Sequence, residues 1–369
     1  MKKLRVGIIG AGMAFEQLHY PAYQELSDKF EIAAICDLDP KKANYWVKKL
    51  NLTQQKDYSE YRSMVMRDDI DVIDIMVPIE LNYKITRDVA SMAAGTRKWI
   101  ICEKPLASTL EEAKSAMELP EKYHVPIMIT ENYRYNEEIN IIRDYVGGKR
   151  IGDVLYFVQN RVVNFPEDMT KNAFPSTEWR QHPEFPGGAI LDTGVHDIAA
   201  LRHIFGAIEK VQGFGYPQEY DFAPYLVICV NMMFKSGLIG QFSFFCSGKE
   251  MQRPLVGLRI FGTRGMIFLE ERDCGTVNIA YNDGKSEQIP YRPQRGYYNE
   301  LLNLYQAAAG NEPISVTPEL EFGDTNTIFQ ILRAIRDGET VPVDQEVDYI
   351  PVYDAARRSL ADHGDYLQH

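Results

Sequence analysis

Two positions one helical turn apart carry the first chemical signal. In GGAILDTGVHDIAALRHIFG, residues 187–206, Asp192 and His196 are spaced i, i+4. On a helix of roughly 100° per residue this brings them onto neighbouring surface, while Leu191, Gly194, Ile198, Leu201 and Phe205 form a separate apolar stripe. An imidazole titrates near neutral pH and can take or give a proton; a carboxylate beside it can orient the ring or touch a hydroxyl. A second signal is Glu103-Lys104-Pro105, where proline ends an apolar run and forces a turn. The Lys104 ammonium can steady charge on a reacting oxygen, and a cis Lys-Pro bond would fix its direction.

The elements around these residues alternate. Apolar runs at 4–10, 31–37, 71–78, 97–105 and 125–132 are separated by amphipathic stretches near 15–26, 40–50, 81–94 and 109–122. Strand-helix alternation at this spacing predicts βαβ units and a doubly wound parallel sheet, a Rossmann-type α/β domain over residues 1–130. Such a sheet binds ligands beyond the carboxyl ends of its strands. Gly10-Ala11-Gly12-Met13-Ala14-Phe15 lies at that end of the first strand, Asp37 closes the second and Pro78 the third. Gly10 permits the tight turn and Gly12 lets backbone approach a pyrophosphate, with Met13, Ala14, Pro78, Glu103 and Lys104 as further cofactor contacts. Asp37 would accept from ribose hydroxyls and repel a 2′-phosphate, and Leu38 follows it instead of an arginine, which favours NAD over NADP. Phe15 departs from the fingerprint, since it stands where a small residue normally lets helix and strand pack closely.

Beyond residue 130 the pattern changes to β-rich runs separated by Gly, Asn, Asp and Ser turns, which predicts antiparallel pairing in a second, α+β domain over 131–343. A Pro-rich loop from Phe165 to Pro186 precedes the Asp192/His196 helix and has the length of a lid or binding loop. The tail, 344–369, contains an amphipathic stretch around Val352–Leu360 whose role the pattern does not reveal. A formal charge of -12 without basic clusters argues against nucleic-acid or anionic-membrane partners, and no run reaches the ~18 apolar residues of a membrane span. MKKLRVGIIGAG reads as a buried first strand, not a secretory signal. Five scattered cysteines predict reduced, buried thiols in a cytoplasmic protein and offer no metal-binding spacing.

Together GIIGAG, CDLDP, ICEKPLA and the 187–206 segment resemble the Gfo/Idh/MocA family, the glucose-fructose oxidoreductase and inositol dehydrogenase relatives, from residue 4 to about 343. The resemblance implies a Rossmann domain followed by an α+β domain with a large, mostly antiparallel sheet that often mediates homodimers or homotetramers. It also implies that Lys104, Asp192 and His196 match the family's catalytic lysine, aspartate and histidine. Hydride transfer from an alcohol needs a base near pH 7 and a donor at the oxygen. The expected function is therefore NAD-dependent oxidoreduction of a sugar, inositol or related polyol. His196 would be the acid/base, Lys104 would polarise the oxygen and Asp192 would position them. Arg134, Tyr135, Arg161, Trp179 and Arg180 are candidates to frame the substrate. His203 is expected on the helix surface and His19 beside the first helix, and Glu103 either holds Lys104 or approaches the cofactor ribose. An NAD-using glycoside hydrolase and a non-catalytic dinucleotide sensor are the alternatives.

Overall fold

The computed structural model describes residues 2–52, 60–171, 175–248 and 256–343. The stretch around Val352–Leu360, with the rest of the tail, lies outside them. The chain divides into two compact units: one joins residues up to Glu131 with Tyr297–Phe322, the other joins Asn132–Gly296 with the residues from Gly323 on. A single cut after residue 130 would misplace 297–322. That segment returns to the first unit, where the Val316 carbonyl accepts from the Ile129 N–H at 3.0 Å and Phe322 packs on Ala107 and Ala113.

The first unit is built on β1 (Leu4–Ile9), β2 (Phe30–Cys36), β3 (Val72–Ile75), β4 (Trp99–Glu103) and β5 (Ile127–Thr130). They pair in parallel in the order β2-β1-β3-β4-β5. Val6, Ile8, Ile35, Ile73, Ile100 and Ile101 are fully buried, as expected of a parallel sheet covered on both faces. The helix expected over 109–122 is two, Leu110–Met117 and Leu119–Tyr123, because Pro120 lacks the N–H a continuous helix needs. The first crossover opens as a π-turn, Phe15–His19, and continues as the helix Tyr20–Glu25. Phe15 and His19 are both buried there. The Phe15 ring meets Trp46 of the helix Pro40–Lys49 edge-on at 4.7 Å, so an aromatic cluster occupies the place the fingerprint gives to a small residue.

The second unit carries β6 (Val154–Val162), β7 (Ile208–Pro217), β8 (Tyr225–Phe234), β9 (Ile239–Phe245), β10 (Val256–Gly262), β11 (Gly265–Leu269), β12 (Thr276–Tyr281), β13 (Ser286–Pro290) and β14 (Val341–Pro342). Among the described residues they form one nine-stranded sheet, β13-β12-β11-β10-β6-β9-β8-β7-β14. Every pair is antiparallel except β6 with β9. That parallel pair needs a long connection, and the helix Ala189–Phe205 lies in it. Burial alternates along β7 and β9, which marks one covered and one open face. No described helix is long and apolar enough to cross a membrane. Cys36, Cys102 and Cys246 are buried free thiols, but Cys229 and Cys274 are exposed, contrary to the expectation of burial.

Candidate active site

In the first unit the predicted residues gather along one edge of the sheet. Gly10 follows β1, Asp37 follows β2, Pro78 caps the helix Ile79–Ala93 after β3, and Glu103 ends β4 with Lys104 next. Gly10 has φ +92°, and a Cβ there would sit 2.0 Å from the Met76 carbonyl oxygen, so only glycine fits. A Cβ on Gly12 would meet nothing within 4 Å. That open space, beside the half-exposed Met13 and Ala14, is what a closely approaching phosphate group requires, and these residues fit a dinucleotide. Asp37 accepts from the Ala11 N–H through Oδ2 and from the Asp39 N–H through Oδ1, both at 2.8 Å. Each carboxylate oxygen can accept a second bond, so its half-exposed carboxylate suits ribose hydroxyls as well as bracing the glycine loop.

Lys104 is half-buried, and its bond to Pro105 is cis. The turn is held from several sides. Asn82 Nδ2 donates to the carbonyls of Glu103 and Pro105 at 3.0 and 2.9 Å, Thr130 Oγ1 donates to that of Cys102 at 3.2 Å, and Glu103 Oε2 accepts from the Lys104 N–H at 3.2 Å. Glu103 Oε1 accepts from His19 Nε2 at 2.9 Å, so Glu103 holds the Lys104 turn in company with a histidine whose sequence position alone predicts only packing.

In the second unit the helix Ala189–Phe205 begins at Gly187 and Gly188, with φ +89° and +47°. A Cβ on Gly188 would lie 2.1 Å from the Phe222 carbonyl oxygen, which accepts from the Ala189 N–H at 2.8 Å. The glycine pair thus lets the chain enter the helix against another strand of backbone. Leu191, Ile198 and Leu201 are fully buried, as their stripe predicts. Arg180 Nε donates to Asp192 Oδ2 at 2.8 Å, and the Arg180 guanidinium lies 4.0 Å from the centroid of the Trp179 ring. This pair lines a small space together with Phe165, Met169, Trp179, Phe185 and Ala189. His196 is half-buried and stacked on Tyr133, ring centroids 4.3 Å apart. The Tyr133 hydroxyl accepts from Arg161 at 3.0 Å and also from Arg272.

Three expectations change. Arg134 is no substrate contact: it is 2% exposed and forked onto Asp324, with Nη2–Oδ1 2.6 Å and Nε–Oδ2 3.3 Å, and Arg202 shares the same carboxylate. Tyr135 is fully buried. His203 is not a surface residue but 3% exposed, its Nε2 3.1 Å from Asn140 Oδ1. Burial holds the His203 imidazole well below its ordinary range, with Arg143 and Arg134 pushing the same way, so it stays neutral. Tyr133, Arg272 and Asp324 carry no signal in the sequence pattern. Each acts through a partner far away in the chain, and no local spacing announces such pairs.

A family model described as "Oxidoreductase family, NAD-binding Rossmann fold" matches residues 4–131, and the GFO/IDH/MocA C-terminal domain model matches 139–268. The chain belongs to the Gfo/Idh/MocA family. It is accordingly an NAD-binding oxidoreductase with a Rossmann unit and a unit built on a mostly antiparallel sheet. An uncharacterised protein of Saccharomyces cerevisiae, YMR315W, is 26% identical over 100% of this chain and 99% of its own. A 1,5-anhydro-D-fructose reductase of Ensifer adhaerens is 26% identical over 78% of this chain and 84% of its own. The crystal structure of an oxidoreductase from Thermotoga maritima superimposes with a TM-score of 0.81, 26% identity and coverage of 93% and 99%.

Proposed function

We propose that the protein is an NAD-dependent dehydrogenase, or a reductase in the reverse direction, acting on a carbinol or carbonyl carbon of a sugar, inositol or related polyol. The observation that carries this reading is His196: half-buried, stacked on Tyr133 and one turn from the Asp192–Arg180 pair, while His203 on the same helix is shut in and neutral. The relative named as a 1,5-anhydro-D-fructose reductase supports a sugar-like substrate. The oxidoreductase description of the matching family model does not favour the glycoside hydrolase or sensor alternatives.

NAD, when bound, supplies the hydride acceptor. Gly10, Gly12, Met13, Ala14, Asp37, Pro78 and Glu103 would hold it. His196 takes the proton from the substrate hydroxyl oxygen, or returns it in reduction. Lys104 steadies the charge that develops on that oxygen, and Asp192 orients the reacting groups. Arg161, Trp179 and Arg180 frame the polyol, an aromatic face and guanidinium donors being suited to a ring bearing several hydroxyls.

The test is NADH formation or consumption with a panel of D-glucose, D-xylose, myo-inositol, levoglucosan and 1,5-anhydro-D-fructose. His196→Ala is expected to lower turnover roughly 10²–10⁴-fold and leave NAD affinity nearly intact; equal turnover refutes the role. Release of an aglycone without net NADH would identify a hydrolase instead.

Two further parts of the reading concern the molecule in the cell: a cytoplasmic location, and a homodimer or homotetramer formed through the second unit's sheet. Apolar side chains exposed on that sheet, Phe214 (76%), Tyr216 (66%), Leu155 (56%) and Ile239 (51%), support the second. Light scattering of the wild type and of Phe214→Glu/Tyr216→Glu checks it: an assembly that falls to monomer agrees, and a monomeric wild type refutes it.

A further inference from the structure

His19 is fully buried in the first unit, and each ring nitrogen meets a carboxylate: Nδ1 lies 3.0 Å from Asp74 Oδ2, Nε2 2.9 Å from Glu103 Oε1. A neutral imidazole has one N–H and one lone pair, and ionised carboxylates only accept. Both contacts are satisfied together when the ring carries both protons.

The surrounding groups agree with that state. Tyr23 donates to the same Asp74 oxygen at 2.9 Å. The helix Gly296–Ala308 contributes the Tyr297 ring, 5.5 Å from the imidazole, and Glu300. Burial holds the Glu300 carboxyl well above its usual range against the pull of His19, with Glu103, Glu131 and Asp74 adding to the rise. Protonated, it adds no charge. Burial opposes a charge on His19 as well, but Asp74 and Glu103 outweigh it and hold the imidazole well above its ordinary range.

The link to function runs through one carboxylate. Glu103 receives His19 on Oε1 and the Lys104 backbone N–H on Oε2. We propose that His19 is a positioning residue of the oxidoreductase site: shared as an imidazolium between Asp74 and Glu103, it locks the Glu103–Pro105 turn and so sets where Lys104 presents its ammonium. This rests on the assignment of Lys104 to the reaction made above. Without His19 the buried Glu103 carboxylate loses its charged partner and turns toward water, releasing the Lys104 N–H.

The experiment is a double-substitution cycle on the full chain with NAD and the fastest-reacting sugar of the panel above. His19→Gln is expected to lower kcat roughly tenfold to a hundredfold, the cost of a misplaced catalytic group, with the NAD dissociation constant changed by less than about threefold. Added to Lys104→Ala it is expected to cost nothing more, since the group it positions is gone. A loss of equal size in both backgrounds overturns the proposal. Lys104→Ala turning over at the wild-type rate would instead sink the assignment of Lys104, a separate result. A measurement on the unsubstituted protein stands apart from folding of the variants: nitrogen-15 NMR of labelled histidine, with His19 assigned by substituting the other six in turn. Two ring N–H signals persisting at pH 8 are expected. One bare ring nitrogen at pH 7 overturns the proposal.

Discussion

The imidazole of His196 lies face to face with the phenol of Tyr133, the planes 12° from parallel and the centroids 4.3 Å apart. Tyr133 is itself anchored by Arg161 and Arg272, whose guanidinium lies 3.8 Å from the centroid of its ring. An imidazole held on one face by an anchored ring keeps its orientation.

Tyr133→Leu removes both the stack and the acceptor, and is expected to lower kcat about tenfold or more while His196 is still present. Tyr133→Phe keeps the ring and should retain most of the activity, losing instead about 1–3 kcal/mol of stability from two guanidinium donors left without their acceptor. Steady-state kinetics and chemical denaturation separate the two. Equal kcat for the Leu and Phe variants would mean that the stack does not orient His196.

The two glycines of the dinucleotide loop should behave oppositely. Gly10→Ala forces a side chain into φ +92° and against the Met76 carbonyl, and is expected to destabilise the protein by more than about 2 kcal/mol. Gly12→Ala meets no neighbouring atom, so stability should stay within about 0.5 kcal/mol while NAD affinity falls. Melting curves with and without NAD read both effects in one experiment.

Asp324 lies fully buried between Arg134 and Arg202. Asp324→Asn removes the charge of the buried carboxylate that both guanidiniums share and is expected to cost about 3–5 kcal/mol, measured by denaturant unfolding. Arg134→Met should do less harm than Asp324→Asn, because one arginine then remains matched to one carboxylate. The reverse order would mean that the shared Asp324 carboxylate is not what holds the two arginines in place.

Glu138, 1% exposed, has a carboxyl that burial pushes from 4.5 up to about 7, against the pull of Arg272. Above pH 4.5 the unfolded chain ionises this group while the folded chain keeps it protonated, so its contribution to stability is lost as pH rises to about 7. At about 1.4 kcal/mol per pH unit, the interval from 4.5 to about 7 amounts to about 3–4 kcal/mol. Glu138→Gln is therefore expected to gain on the wild type across that window and to run parallel above it. Melting temperatures of both proteins from pH 4 to 8 give the comparison. A difference that does not change with pH removes Glu138 as the cause.

By itself the amino-acid sequence determined whatever depends on neighbours along the chain. The βαβ alternation, the glycine loop with Asp37, the turn at Pro105 and the Asp192/His196 spacing all follow from local periodicity or from residues with restricted backbones. The glycine-bearing strand β7 and the polar strand β13 carry no comparable signal, because glycine and polar side chains hide a strand that only its sheet partners stabilise. Side-chain fates were the larger gap. Arg134 looked like a sugar ligand until Asp324, 190 residues away, claimed it. His203 looked like a solvated helix residue until Asn140 closed over it. His19 acquired its partners Asp74 and Glu103 from two strands 55 and 84 residues further on. The charge and the accessibility of an ionisable group depend on what lies within a few ångströms in space. Tertiary structure alone decides that, since chain closure sets such distances and sequence separation does not.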